Sequence, residues 1–154
     1  MLFLLFQLGE DRFALDAAGI VEVLPLVAVT PVPLAPPGVA GLFDHRGTAV
    51  PAVDLSALVL GRPARLLLST RIVLVRYPDG EAGDHLLGLI AERATGTLRA
   101  EPADFSASGI DNAATPYLGP VLADAEGLVQ RVDAQALLPT GLRDMLFRAA
   151  AAAG

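Results

Sequence analysis

The chain has 154 residues, of which 53% are hydrophobic and 18% are charged, and its formal net charge is −6. This length fits one domain, and the apolar fraction is sufficient for a buried core. The net negative charge disfavours nucleic acid as a partner, and the absence of cysteine excludes disulfides, thiolate zinc sites and thiol nucleophiles.

Short apolar segments separated by Gly, Pro, Asp and Asn predict a mainly β fold. We expect the first strand at the N-terminus, because Met1 to Phe6 is too short an apolar run for an export signal and has no basic residues before it. No apolar stretch is long enough for a membrane span, so we expect a cytoplasmic protein without direct membrane insertion. The predicted strands, in chain order, are 2–8, 12–15, 21–24, 48–53, 71–76, 85–91, 94–101, 117–123 and 127–132.

The remaining segments are predicted to be turns, connectors and helices. A helical turn is expected over 17–21, and a short helix over 55–60 that ends at Gly61 and Pro63. Five prolines between positions 25 and 37 predict an extended connector packed on its own domain. From residue 134 the apolar spacing is helical, with Leu142, Met145, Leu146 and Ala149 on one face. Residues 150–154 are predicted to be a frayed, alanine-rich tail.

The most informative segment is GLFDHRGTAVPAVDL, residues 41–55. Its Arg46-Gly47 turn separates two apolar arms, and glycine permits the positive φ that a sharp reversal needs. Pro51 lacks an amide donor, which predicts an edge strand or a bulge. Arg46 then lies on an exposed corner, where it is either solvated or anchors an interface. Asp54 either caps the following helix or pairs with Arg46.

The sequence holds little that indicates catalysis. His45 follows Asp44 and His85 follows Asp84, but adjacent side chains on an extended segment point to opposite sides, so we expect exposed loop histidines and no metal site. No serine lies in a GxSxG setting, and no glycine-rich loop carries a lysine. We therefore expect a protein without enzymatic activity or cofactor.

The pattern resembles CheW-like domains, the adaptors of bacterial chemosensory arrays, over about residues 2–146. The core of the resemblance is Arg46-Gly47, Pro51 and Val53-Asp-Leu55 in the order and spacing of that family. Glu92 stands where the family usually has aspartate. Further matching segments are Phe6-Gln-Leu-Gly9, Arg12-Phe-Ala-Leu15, Val21-Glu-Val23, Gly88-Leu-Ile90, Tyr117-Leu-Gly119, residues 127–133 and Leu137-Leu138.

This resemblance implies one domain over 1–149, built from two SH3-like, five-stranded β-barrel lobes around a shared core, with short helices and a C-terminal helix. We place the lobes at about 10–66 and 67–135. It also implies a non-enzymatic adaptor that couples a CheA-type histidine kinase to chemoreceptors, as a monomer or weakly self-associating, and that is recruited to membrane receptor arrays. Receptor helices would dock in the groove between the lobes, and the kinase's regulatory domain would pair with one barrel end.

The interaction residues that follow from this resemblance surround the turn: Arg46, Gly47, Val39, Val50, Asp44 and His45, with Leu42 and Phe43 in the core. Asp44 and His45 depart from the commoner Asn-Leu pair, which suits an alternative chemosensory pathway. Two other functions remain open: a regulatory module of a larger kinase system, and a sensor whose groove binds a small ligand.

Overall fold

The computed structural model describes residues 1–78, 84–107, 115–138 and 140–153. Within these ranges, no helix combines the length and the apolar character that a membrane span requires. Nine strands and two α-helices are present there: β1 (Leu2–Leu8), β2 (Asp11–Asp16), β3 (Ile20–Pro25), β4 (Val39–His45), β5 (Thr48–Asp54), α1 (Leu55–Leu60), β6 (Arg71–Pro78), β7 (Asp84–Arg99), β8 (Leu118–Asp124), β9 (Gly127–Val132) and α2 (Thr140–Ala153).

The strands form two five-stranded lobes that share β7. The first half of β7 pairs with β5 and β6, and with β3 and β4 beyond them this sheet is the first lobe. The second half of β7 pairs with β1, and β2, β9 and β8 complete the second lobe. This pairing differs from the predicted division at 10–66 and 67–135, because β2 belongs to the second lobe and β6 to the first.

Each sheet curls into a barrel that is closed by a pair of backbone hydrogen bonds. In the first lobe, Thr30 and Leu42 exchange two N–H···O bonds of 2.8 Å. In the second lobe, Ser106 and Val121 do the same at 2.7 and 2.8 Å. Closure of the first lobe depends on Gly41, which has a φ of +140° and whose Cβ, if present, would overlap the carbonyl oxygen of Thr30. The two closures give the mainly β, two-barrel architecture that the sequence predicts.

Three apolar cores hold this arrangement together. One fills the first barrel and includes Phe43, Val50, Ile72, Leu74 and Ile90. A second fills the other barrel and includes Phe3, Ala14, Phe105 and Val129. The largest lies between the lobes and includes Leu4, Phe6, Val53, Tyr77, Leu87, Leu89, Leu146 and Phe147. Strand β1 contributes to two of the cores from opposite faces, which explains why its sequence is continuously apolar rather than alternating.

Several strands differ from their predicted form. The first arm of the hairpin, β4, was missing from the predicted strands, and the two segments 85–91 and 94–101 are one continuous strand, β7. Of the two predicted alternatives for β5, the edge strand is wrong, because β5 pairs with β4 on one side and β7 on the other. The other alternative, a bulge, is present in the β4–β5 ladder, where the register shifts between Val39 and Gly41 opposite Val53 and Ala52. Pro51 is tolerated because the parallel pairing with β7 begins only at Ala52.

The C-terminal helix also differs from its prediction. Leu146, Phe147 and Ala150 are buried whereas Met145 is exposed, so the buried face is rotated from the predicted one. The helix continues to Ala153, so residues 150–153 are not frayed. The Phe147 ring stacks on His85 with 4.2 Å between ring centroids. His85 therefore lies in a strand against α2, not in an exposed loop.

A buried carboxylate marks the place where β7 passes from one lobe to the other. Glu92 is fully buried, and it accepts hydrogen bonds from Ser56 Oγ at 2.9 Å and from Arg65 Nε. Arg62 Nη1 lies 4.0 Å from the same carboxylate. Burial raises the pKa of Glu92, but the hydrogen bonds from Arg65 and Ser56 outweigh that effect and hold the pKa below its ordinary value. Helix α1 and the segment after it are thereby tied to the middle of β7.

Candidate protein interaction site

The β4–β5 hairpin ends in a two-residue turn formed by Arg46 and Gly47. Both have positive φ, 51° and 85°, which is the requirement of a type I′ turn and matches the twist of the flanking strands. Positive φ is uncommon for arginine. Arg46 adopts it here because the tight turn between the twisted strands β4 and β5 requires it. The Arg46 side chain is 77% exposed. The predicted exposed corner is therefore present.

The Arg46 guanidinium is oriented by an acidic residue on a neighbouring strand. Arg46 Nη2 lies 3.3 Å from Glu22 Oε2, and His45 Nε2 lies 3.9 Å from the same oxygen. Such a solvent-exposed ion pair contributes only ~0.2–1 kcal/mol to stability. The pair therefore does more to position the guanidinium than to hold the fold together.

Glu22 is the residue that sequence reasoning missed. It lies on β3, which the closure between Thr30 and Leu42 brings close to the hairpin. The available signal was an acid between Val21 and Val23 on a predicted strand, but nothing in that pattern indicates which distant cation it meets. The structure thus places three charged or titratable side chains together: Glu22, His45 and Arg46.

The other predicted interaction residues are divided between surface and interior. Asp44 and Gly47 are exposed beside Arg46. Val50, predicted as an anchor, is 1% exposed because it faces the interior of the first lobe opposite Phe43, so that prediction is wrong. Val39 begins β4 at the end away from the turn and packs half-buried against the core between the lobes. The structure therefore does not bring Val39 next to Arg46.

Asp54 has the capping function that was one of its two predicted alternatives. Its Oδ1 accepts a hydrogen bond from the amide of Ala57 at 3.2 Å, and its Oδ2 accepts one from the amide of Ala64 at 2.9 Å. Asp54 lies at the opposite end of β5 from the turn, so the alternative pairing with Arg46 is wrong. The cap fixes both α1 and the start of the segment that follows it.

A groove of about 680 Å³ lies between the two lobes. One wall comes from β6 of the first lobe, and the other comes from β2, β8, β9 and their flanking residues in the second lobe. Arg131 crosses part of it, with Nη2 3.6 Å from Asp16 Oδ2. The lining residues include apolar Leu15, Val75 and Val132 and charged Asp16, Arg76, Arg131 and Asp133.

The two histidines, His45 and His85, contact different partners. In the described part of the chain, no group of three or more His, Cys, Asp or Glu side chains is placed to hold a metal ion. His45 is engaged with Glu22 and His85 with Phe147.

The sequence profile of the CheW-like domain matches residues 2–141. The chain belongs to the CheW-like family. Protein FrzA of Myxococcus xanthus is 31% identical to this CheW-like chain over 123 residues, which is 79% of the chain and 74% of FrzA.

A second relative and a solved structure are also similar to this chain. Chemotaxis protein CheW of Treponema pallidum is 32% identical over 83 residues, covering 54% of this CheW-like chain but 41% of the relative. The crystal structure of scaffolding protein TtCheW from Thermoanaerobacter tengcongensis superimposes with a TM-score of 0.77 over 90% of this chain and 88% of that one, at 18% identity. The latter shows that the fold is shared.

Proposed function

We propose that this CheW-like protein is a non-catalytic adaptor of a chemosensory pathway, joining a CheA-type histidine kinase to chemoreceptors. The proteins named above are FrzA, a chemotaxis protein and a scaffolding protein, and this chain shares the fold of the scaffolding protein. Within such an assembly the adaptor sets the geometry of the kinase relative to the receptor, so that a small receptor movement shifts a two-state equilibrium.

The observation that supports this function best is the exposed, oriented Arg46. The guanidinium is planar and has five donors, so it can bind a partner carboxylate with two parallel hydrogen bonds. Among the described residues its ion-pair partner is Glu22, which is contacted through one terminal nitrogen. Because Glu22 and the turn already restrict the side chain, less conformational freedom is lost when a partner binds. Arg46 is thus suited to be an interface anchor.

The neighbouring residues adjust which partner is accepted. Asp44 adds an exposed negative charge, and His45 adds an imidazole beside Glu22. A partner must therefore accept both a cation and an anion at the hairpin tip. We propose that this pair selects the kinase or receptor of an alternative chemosensory system, while the groove between the lobes receives receptor helices.

The test is capture of partners by tagged full-length protein, with Arg46→Glu as the variant and Arg99→Glu, an exposed arginine on β7, as the matched control. We expect wild type and Arg99→Glu to retain a histidine kinase and chemoreceptors, identified by mass spectrometry. Arg46→Glu should bind the purified kinase regulatory domain at least about tenfold more weakly in titration calorimetry, because charge reversal removes the anchor and repels Glu22. Equal affinities for the two variants would refute the role of Arg46. Failure of wild type to retain any signalling protein would refute the adaptor function.

A further inference from the structure

A second surface lies in the segment between α1 and β6, where two leucines point into solvent. Leu68 is 98% exposed and Leu66 is 82% exposed. Three arginines accompany them: Arg62 and Arg65, each about half exposed, and Arg93 on β7. We refer to these five residues as the leucine surface. Neighbouring apolar side chains that are exposed together often mark an interaction site, whereas single exposed apolar side chains are normal on protein surfaces.

The segment holds these leucines outward in an ordered conformation. Thr70 is buried, and its hydroxyl donates to the carbonyl of Arg65 at 2.6 Å and accepts from the amide of Leu67 at 3.2 Å. The amide of Ala94 donates to the carbonyl of Ser69 at 3.1 Å, which attaches the segment to β7. Arg71 also donates to the carbonyl of Leu68. The exposed leucines therefore do not result from a loosely held loop, and a partner would meet a preorganised surface.

The charge around the leucines has one sign. Arg65 is held by Glu92, whose carboxylate is buried beneath the segment. Arg93 is exposed and, within the described residues, has no acidic partner assigned to it. Across a groove of about 330 Å³ from Arg93 lies Glu126, whose carboxylate is 3.7 Å from Arg12. A protein with a net charge of −6 thus presents a local patch that is apolar and cationic.

The backbone of the segment disfavours one common mode of recognition. A partner that adds as a β-strand needs unpaired backbone donors and acceptors at an edge. Here the Leu67 amide and the Ser69 carbonyl are already bonded within the protein. These bonded groups disfavour an added strand at this point and favour recognition through side chains, as when an amphipathic helix places its apolar stripe against a hydrophobic surface.

The leucine surface is separate from the site around Arg46. Strand β5 has seven residues and spans about 20 Å, with the Arg46 turn at one end and α1 and the following segment at the other. The segment also does not line the groove between the lobes. The three surfaces are therefore distinct.

We propose that the leucine surface binds an acidic amphipathic helix of a partner protein, with apolar side chains against Leu66 and Leu68 and carboxylates paired with the arginines. The occupant is acidic because the exposed charges of the leucine surface itself are three arginines, and it is apolar because Leu66 and Leu68 are 82% and 98% exposed. An anionic membrane offers similar chemistry, but the net charge of the protein opposes approach to such a surface. The inference goes beyond the adaptor function and does not depend on it.

The experiment places a photo-crosslinking amino acid at position 68 of the full-length chain in its native cells, with Thr97, exposed on β7 of the second lobe, as the control position. The crosslinked partner peptide is sequenced by mass spectrometry. We expect crosslinks from position 68, and not from position 97, to a segment with helical apolar spacing and flanking Asp or Glu. Leu66→Ser and Arg93→Glu should each reduce the yield at least about fivefold in protein whose urea unfolding is unchanged, whereas Arg46→Glu should leave it unaltered.

Each other outcome overturns the proposal. No acidic helix docks here if position 68 gives no crosslink. The same conclusion follows if it crosslinks only to a second copy of this chain, to lipid, or to a segment without acidic residues. The adaptor function is tested separately, because it fails only when the wild type retains no kinase or receptor. A protein that retains both but gives no crosslink at position 68 would disprove this inference and leave the adaptor function intact.

Discussion

Replacing Glu92 by glutamine or alanine tests the network that joins the two lobes. The carboxylate is fully buried, accepts a hydrogen bond from Ser56 and one from Arg65, and ties α1 to the middle of β7. Glutamine keeps the shape of the side chain and can still accept a hydrogen bond from Ser56. It loses the charge that attracts Arg65. Alanine removes both interactions and leaves the Ser56 hydroxyl without its partner.

The expected losses of stability follow from the environment of each partner. A hydrogen bond to a charged group contributes ~1.5–3 kcal/mol. Arg65 is about half exposed and can be rehydrated when its partner is lost, so we expect Glu92→Gln to cost about 1.5 kcal/mol, the low end of that range. Ser56 is fully buried, so its orphaned hydroxyl adds ~1–3 kcal/mol in Glu92→Ala. The alanine variant should therefore lose about 2.5–4.5 kcal/mol, the sum of the two contributions.

Urea unfolding followed by circular dichroism measures these differences as a shift of the midpoint at constant m-value. Ser56→Ala is the matched control, and in a double-mutant cycle with Glu92→Ala the two losses should not add, because the second substitution removes a partner already lost. The reasoning is refuted if Glu92→Gln unfolds at the wild-type midpoint, or if the losses from Ser56→Ala and Glu92→Ala are additive.

The same network predicts a pH dependence with a definite sign. The folded-state pKa of Glu92 lies below its unfolded value of about 4.3, so the folded state favours the charged form. Its contribution is fully present above the unfolded pKa and is lost as pH falls through the folded pKa. The difference in unfolding free energy between wild type and Glu92→Gln should thus be constant from pH 7 to 5 and shrink in more acidic solution. A difference that is unchanged at pH 3 would contradict this.

Two further predictions concern the individual lobes. In the first lobe, a Cβ at Gly88 would lie 2.5 Å from Phe43 Cε1, so Gly88→Ala should lower the free energy of unfolding in urea by ~1–3 kcal/mol. Gly19→Ala is the control and should be near neutral, because a Cβ there meets nothing within 4 Å. Equal effects of the two substitutions would disprove the steric reason. In the second lobe, Arg12 binds both oxygens of Asp124 at 2.8 and 2.9 Å, and the hydrogen bond from Arg12 lowers the pKa of Asp124 to about 2. Arg12→Leu should return that pKa towards its ordinary value in an NMR titration. Asp124 stabilises the fold above about pH 4 and loses this effect as pH falls through 2, and Arg12→Leu should diminish this stabilisation. An unchanged Asp124 titration in Arg12→Leu would refute the assignment.

Features that depend on neighbouring residues were predictable from the sequence. The Arg46-Gly47 turn, the helix α1 that begins after the Asp54 cap, and its end at Gly61 with a φ of 75° all formed as expected. The first strand formed with its predicted bounds, Leu2–Leu8. Turn type and helix capping depend on φ preferences and hydrogen bonds within a few residues, so the sequence of each segment contains the necessary information.

Which surface each apolar residue faces was less accessible to sequence reasoning. Val50 and Met145 both belong to apolar patterns, yet Val50 is buried where an anchor was expected and Met145 is exposed where a core residue was expected. The strand β5 is interior because β7, more than thirty residues later, pairs with its far side. Periodicity shows that a face is apolar but not which element covers it.

By itself, the sequence determined the local conformations, the mainly β class and, through the motif around Arg46, the CheW-like family. The tertiary structure decided that one strand serves both barrels, that Glu22 meets Arg46, and that Glu92 is buried among Ser56 and Arg65. The side-chain contacts of Glu22 and Glu92 join residues 24 to 36 positions apart. They form only once the barrels close, because closure brings distant strands together, and at Glu92 it also excludes the water that would otherwise solvate the carboxylate.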